Sequence, residues 1–129
     1  CVHCHSGPNL TDNEFRNNGL DTDLTDLGLS EVTGNSSDDG KFKTPTLRNI
    51  EFTAPYMHDG RFATLEDVVE HYNSGVHADS PNLDPEMANA AAGLNLTASE
   101  KTDLINFLKT FSDTEFIENP DFSNPFGDE

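Results

Sequence analysis

Tryptophan is absent from this chain, cysteine and methionine occur twice each, and Lys and Arg together number seven among 129 residues. Each shortage excludes something. Seven bases against 24 acids leave a net charge of −17, which argues against nucleic acid or an anionic membrane surface as partner. No apolar run approaches the roughly 20 residues that a membrane-spanning helix needs. With 33% hydrophobic residues and no Trp, a single domain of this length has a thin core unless a guest helps to fill it. Both cysteines fall within the first four residues, so a structural disulfide elsewhere is excluded.

What is present begins at once, with Cys1-Val2-His3-Cys4-His5. Two thiols separated by two residues can each add across a vinyl group of one heme, and the histidine after the second thiol then lies under the iron. A zinc site would want two more Cys or His at ribbon or finger spacing, which His58, His71 and His77 do not supply. A thioredoxin-like dithiol would need a βαβ context that is missing. The motif therefore points to one covalent heme c, held by Cys1 and Cys4 with His5 as proximal iron ligand. His3 reads as a spacer pointing outward. Covalent heme attachment takes place outside the cytoplasm, so a periplasmic or extracellular protein is expected. No leader precedes Cys1, which reads as the loss of an upstream part.

Along the chain, residues 6–40 are rich in Gly, Asn and Ser turns, and 41–59 read as extended, since Pro45 and Pro55 bar helix. Thr64 is placed to cap a helix whose Leu65, Val68, Val69 and Tyr72 share one face, with 73–75 ending it. His71 is assigned to the solvated side of that helix, beside Asp67. A short helix is expected within 85–93. The clearest helix runs from Ala98 to Phe111, opened by the capping box Thr97-Ala98-Ser99-Glu100 and striped by Leu104, Ile105, Leu108 and Phe111. The fold class is all-α, a cytochrome c-like heme domain with long loops. That domain is expected over 1–113, and 114–129 form an acidic tail draped on the surface or tethered to a partner.

Four side chains compete for the face of the iron opposite His5: Met57, His58, Tyr72 and Met87. Residue chemistry alone ranks Met57 first, because a thioether in a proline-bounded loop is the usual sixth ligand of a small electron-transfer cytochrome c. Met87 reads as packing, and Tyr72 as a core tyrosine whose hydroxyl finds a backbone partner.

Several stretches then resemble the C-terminal heme domain of the bacterial diheme cytochrome c peroxidase/MauG family. They are Phe42-Lys43-Thr44-Pro45-Thr46-Leu47-Arg48-Asn49-Ile50, Thr53-Ala54-Pro55-Tyr56-Met57-His58-Asp59-Gly60-Arg61-Phe62 and Thr64-Leu65-Glu66, with Cys4-His5-Ser6-Gly7 and Asn17-Asn18-Gly19-Leu20 before them. The resemblance implies a different distal ligand. In the peroxidases it lies fourteen residues after the His of the Pro-Tyr-x-His-Asp-Gly motif, and that count from His58 reaches Tyr72. MauG-type members carry Tyr there, as here. His5/Tyr72 ligation is therefore expected, with Met57 as the alternative.

The same resemblance implies a calcium ion between two heme domains, bound in part by the backbone carbonyls of Thr53 and Pro55. It also places Arg48 and Arg61 where each could neutralise a heme propionate. Catalysis proper is assigned to no residue of this chain, since the peroxide-binding iron of the family lies in the other domain. The expected function is electron relay to or from that heme; the alternative is a stand-alone monoheme carrier, or a subunit of a multi-cytochrome assembly, with His/Met ligation. The implied partners are the upstream second heme domain of the same chain and a redox protein, for which the acidic surface suits a basic face. A homodimer is left open.

Overall fold

Two capped helices crossing over a small apolar cluster organise the molecule, and loops wrap the rest around them. The computed structural model describes residues 1–126. In chain order the elements are β1 (Phe15–Arg16), α1 (Ser30–Thr33), β2 (Phe42–Lys43), α2 (Leu65–Glu70), α3 (Ala88–Ala91), α4 (Ala98–Lys109) and α5 (Thr114–Ile117), with short 3-10 turns and one π turn (His71–Gly75) besides.

The start of α2 is fixed by Thr64, whose Oγ1 accepts from the Asp67 amide at 3.1 Å. The start of α4 is the expected capping box. Thr97 Oγ1 accepts from the Glu100 amide, and Glu100 Oε2 accepts from the Thr97 amide at 2.8 Å. Leu65 and Val69 of α2 and Ile105 of α4 close on Tyr56, with Ile50, Phe62, Val68, Leu104 and Leu108 packed around them. Tyr56 belongs to this core because its hydroxyl donates to the Ile50 carbonyl at 2.9 Å, so the ring is buried without an unpaired oxygen. Outside the cluster, Lys101 Nζ of α4 meets Glu70 Oε2 of α2 at 2.7 Å. No described side chain falls below 2% exposure, as expected of a thin apolar composition.

Three expectations change. The fold is helices and long loops as anticipated, but not purely all-α. Phe15–Arg16 pairs antiparallel with Phe42–Lys43, in the register Phe15↔Lys43 and Arg16↔Phe42. The two extended stretches lie far apart in sequence, and neither shows the alternation of a longer strand. The loop-rich stretch 6–40 also contains α1, ended by Gly34 in the left-handed region at φ 69°.

The third change is His71. It is 5% exposed rather than solvated. After Glu70 the helix widens into a π turn over His71–Gly75, and the Asn17–Gly19 turn covers its outer side. His71 Nε2–H donates to the Asn18 carbonyl at 3.2 Å, a contact across 53 residues that helical periodicity cannot register. Beyond α4 the chain stays tied for a few residues. Asn49 Oδ1 accepts from the Asp113 amide at 2.6 Å, and Ser112 Oγ donates to Glu51 at 2.8 Å. Phe116 and Phe122 then pack on one another in the open. The end of the expected tail, 127–129, lies outside the described residues.

Candidate heme centre

The opening pentapeptide is one helical turn. The Cys1 carbonyl accepts from the Cys4 amide at 3.2 Å and from the His5 amide at 2.8 Å. That bonding sets Cys1 and Cys4 one turn apart on the same side, and both thiols are free. Burial pushes the Cys4 thiol above its ordinary value, against the pull of the nearby Arg16 guanidinium.

His5 is held by the loop that follows it. Its Nδ1–H donates to the Leu10 carbonyl at 3.2 Å, which leaves Nε2 as the nitrogen able to bind a metal. Burial lowers His5 below the ordinary histidine value, with the Leu10 and Pro45 carbonyls opposing, so the ring favours the neutral form a metal requires. The loop is strapped down by the segment 44–48. Thr11 Oγ1 donates to the Thr44 carbonyl at 2.7 Å, Thr46 Oγ1 to the Asn9 carbonyl at 2.6 Å, and Arg48 Nη2 to the Pro8 carbonyl at 2.7 Å. Much of the Thr44–Arg48 motif thus has a local explanation: it fixes the loop that orients His5.

The other donors gather around Asn18. Its Nδ2 lies 3.4 Å from the Met57 sulfur and 3.4 Å from the Tyr72 hydroxyl. The two candidates that residue reasoning set against each other therefore sit at the same amide. Met57 stands on a left-handed backbone at φ 73°, which is uncommon for an unbranched side chain and turns it out of its loop. Tyr72 is half-buried in the π turn, edge-on to His71 at 5.0 Å between ring centres. Burial raises its phenol, while Asn18 lowers it and the nearby Cys4 raises it further. Cys4 and Tyr72 are thus electrostatic neighbours, although 68 positions separate them in sequence.

The remaining candidates are placed as follows. Arg61 forks onto Asp21 at 2.7 and 2.8 Å and meets Asp59 at 2.7 Å, and Arg48 is the Pro8 strap just described. His58 stacks on Phe42, ring centres 3.7 Å apart and nearly parallel. Thr53 and Pro55 lie exposed in the turn after the Ile50–Phe52 3-10 segment. Met87 is half-buried at the end of another such turn. Among the described residues, no group of three or more His, Cys, Asp or Glu gathers as a cage for a metal ion. The donor set is instead that of a covalently bound porphyrin: two thiols on one turn, a neutral imidazole fixed through Nδ1, and a phenol and a thioether together elsewhere. The residues present fit the group.

Sequence reasoning missed Asn18 and misplaced His71. The Asn17-Asn18-Gly19 run signals a turn, and the structure shows why it must be a tight one. A Cβ on Gly19, at φ 69°, would lie 2.7 Å from Val76 Cγ1. Nothing local indicates where that turn docks.

Comparison with known proteins identifies the family. The chain is 35% identical over 129 positions to the cytochrome c551 peroxidase of Nitrosomonas europaea, covering 97% of this chain and 33% of that protein. It is 37% identical over 112 positions to the methylamine utilization protein MauG of Methylorubrum extorquens, covering 85% and 30%. The chain belongs to the cytochrome c peroxidase/MauG family. Among solved structures, a MauG-like protein associated with microbial copper homeostasis superposes with a TM-score of 0.81 at 40% identity, over 98% of this chain and 46% of that one. No family model matches. The chain spans about a third of the length of the curated relatives it matches, from 30% to 38%. Its relatives imply c-type heme and oxidoreductase chemistry. No helix among the described residues is long and apolar enough to cross a membrane.

Proposed function

We propose that this chain is the covalent c-type heme electron-transfer domain of a diheme cytochrome c peroxidase or MauG-like oxidoreductase, relaying electrons to or from a peroxide-reactive heme in an N-terminal domain of the longer protein. The carrying observation is a strapped His5, its Nδ1 bonded to the Leu10 carbonyl, in a domain that also holds a half-buried Tyr72 with its hydroxyl beside Asn18. The heme, when bound, supplies an iron that exchanges single electrons. The chain's residues set how that iron behaves. Cys1 and Cys4 anchor the ring through thioether bonds, and His5 is oriented by Leu10. Tyr72 offers a hard anionic oxygen, which favours the ferric state and lowers the potential relative to a thioether. Such a site is a poor store for an ordinary electron and suits one that shares oxidising equivalents with a neighbour.

The same reading assigns the Thr53 and Pro55 carbonyls to an interdomain calcium ion, Arg48 and Arg61 to the neighbourhood of the propionates, and the protein to the periplasm. A basic redox partner suits the net charge of −17. A second reading, a stand-alone electron carrier with His5/Met57 ligation, is favoured by the Met57 sulfur at the same 3.4 Å from Asn18.

Pyridine hemochrome analysis of the natural full-length protein separates them. Two hemes per chain are expected; one would sink the diheme reading. Replacing Cys1 and Cys4 together by Ala should abolish covalent heme staining of this domain on a denaturing gel.

A further inference from the structure

Tyr72 and Met57 cannot both occupy one face of an iron, and the Asn18 amide lies 3.4 Å from each of them. We propose that Asn18 is a positioning residue that selects the distal ligand: its amide favours Tyr72 at the iron and holds the Met57 sulfur back. This rests on the assignment of His5 and Tyr72 as iron ligands in the preceding reading.

The contacts are asymmetric in consequence though equal in length. At 3.4 Å the amide is long for an N–H···O bond and ordinary for one to sulfur, so it is shared rather than committed to either partner. An amide donates well to an anionic phenolate oxygen, which keeps lone pairs free while bound to a metal. A thioether is a weak acceptor, and a sulfur engaged by an N–H has less electron density to offer iron. Asn18 thus rewards one ligand and hinders the other.

The amide is also built to stay in place. Asn17 beside it is locked by Nδ2 donating to Ser80 Oγ at 3.1 Å and to the Pro81 carbonyl at 2.6 Å, while its Oδ1 accepts from the Gly19 amide at 2.8 Å. The backbone of Asn18 itself is pinned by His71 Nε2–H, a contact that survives any change of the Asn18 side chain. A fixed turn therefore presents one amide to two acceptors that arrive on separate segments, one on a left-handed loop residue and one in a π turn.

The test uses the heme-loaded full-length protein and its Asn18→Leu and Asn18→Asp variants. Leu keeps the bulk and removes both N–H donors; Asp keeps the shape and replaces the donors by an acceptor that repels a phenolate. Resonance Raman spectroscopy of the ferric protein reads phenolate vibrations, and the far-red charge-transfer band reads thioether ligation. The native protein should show the phenolate signature. Both variants should lose most of it and gain the thioether band, and a further Met57→Leu change should remove that band. Thermal unfolding of Asn18→Asp within a few degrees of native would place the effect at the ligand rather than in the fold. Undiminished phenolate signals in a folded Asn18→Asp protein overturn the proposal while leaving Tyr72 ligation intact. A native protein that lacks the phenolate signature overturns both.

Discussion

The two sides of the proposed heme centre are built in opposite ways. The side that carries His5 has a continuous base, a thiol turn and a loop over Ser6–Thr11, fastened by three hydrogen bonds to Thr44, Thr46 and Arg48 of one distant segment. The side that carries Tyr72 has no continuous sequence. It is assembled from the Asn17–Gly19 turn, the Met57 loop and the π turn after α2, and depends on one turn docking correctly. Redundant bonds make the first side tolerant. Reliance on a single tight turn makes the second fragile.

The sharpest way to break that contrast is Gly19→Ala. The methyl group would meet Val76 and Leu83 closer than 3 Å on a left-handed backbone, so a loss of about 2–3 kcal/mol in chemical denaturation is expected, together with a disturbed distal ligand spectrum. A loss under about 0.5 kcal/mol would mean that the distal side is as forgiving as the proximal one. Arg48→Ala is the matched change on the proximal side. It removes one exposed strap of three, so the expected cost is under about 1 kcal/mol, with the His5 environment unchanged by NMR of the ferrous protein.

The smallest expected effect lies at the helix that carries Tyr72. Hydrogen bonds from Lys101, Ser74 and Asn73 hold the Glu70 carboxyl down at about 2, against an ordinary 4.5. A depressed acid stabilises the fold fully above about 4.5 and loses that contribution as pH falls through about 2. The gap in unfolding midpoint between the native protein and Glu70→Gln should therefore close on acidification from pH 5 to 2. A gap that stays constant would show that Lys101 does not couple α2 to α4. Because Glu70 is exposed and screened by salt, the gap should also shrink as ionic strength rises.

How much of this was legible in the sequence follows the same division. Cys1, Cys4 and His5 stand out because heme attachment would need them at fixed spacing. The caps at Thr64 and Thr97 are equally local, since each is satisfied within four residues. Periodicity also found the core positions Leu65, Val69 and Ile105. It failed at His71, where a turn 53 residues away covers what would be the outer face of the helix. The β1–β2 pair and α1 escaped because two and four residues are too short to carry a pattern. Asn18 was visible only as part of an Asn-Gly turn, and its partners come from segments 39 and 54 residues away. A side chain that works through remote neighbours leaves no local trace.

The strap over the His5 loop also has a meaning in time. The thiol turn needs only five consecutive residues, and such turns form within about a microsecond. The strap joins positions 33, 37 and 40 residues apart, so its loops close later and against a larger entropy. A chain threading out amino end first therefore displays both thiols before the segment that fastens the His5 loop has emerged. The order of emergence itself leaves an interval in which the attachment turn is formed and its loop is still unfastened.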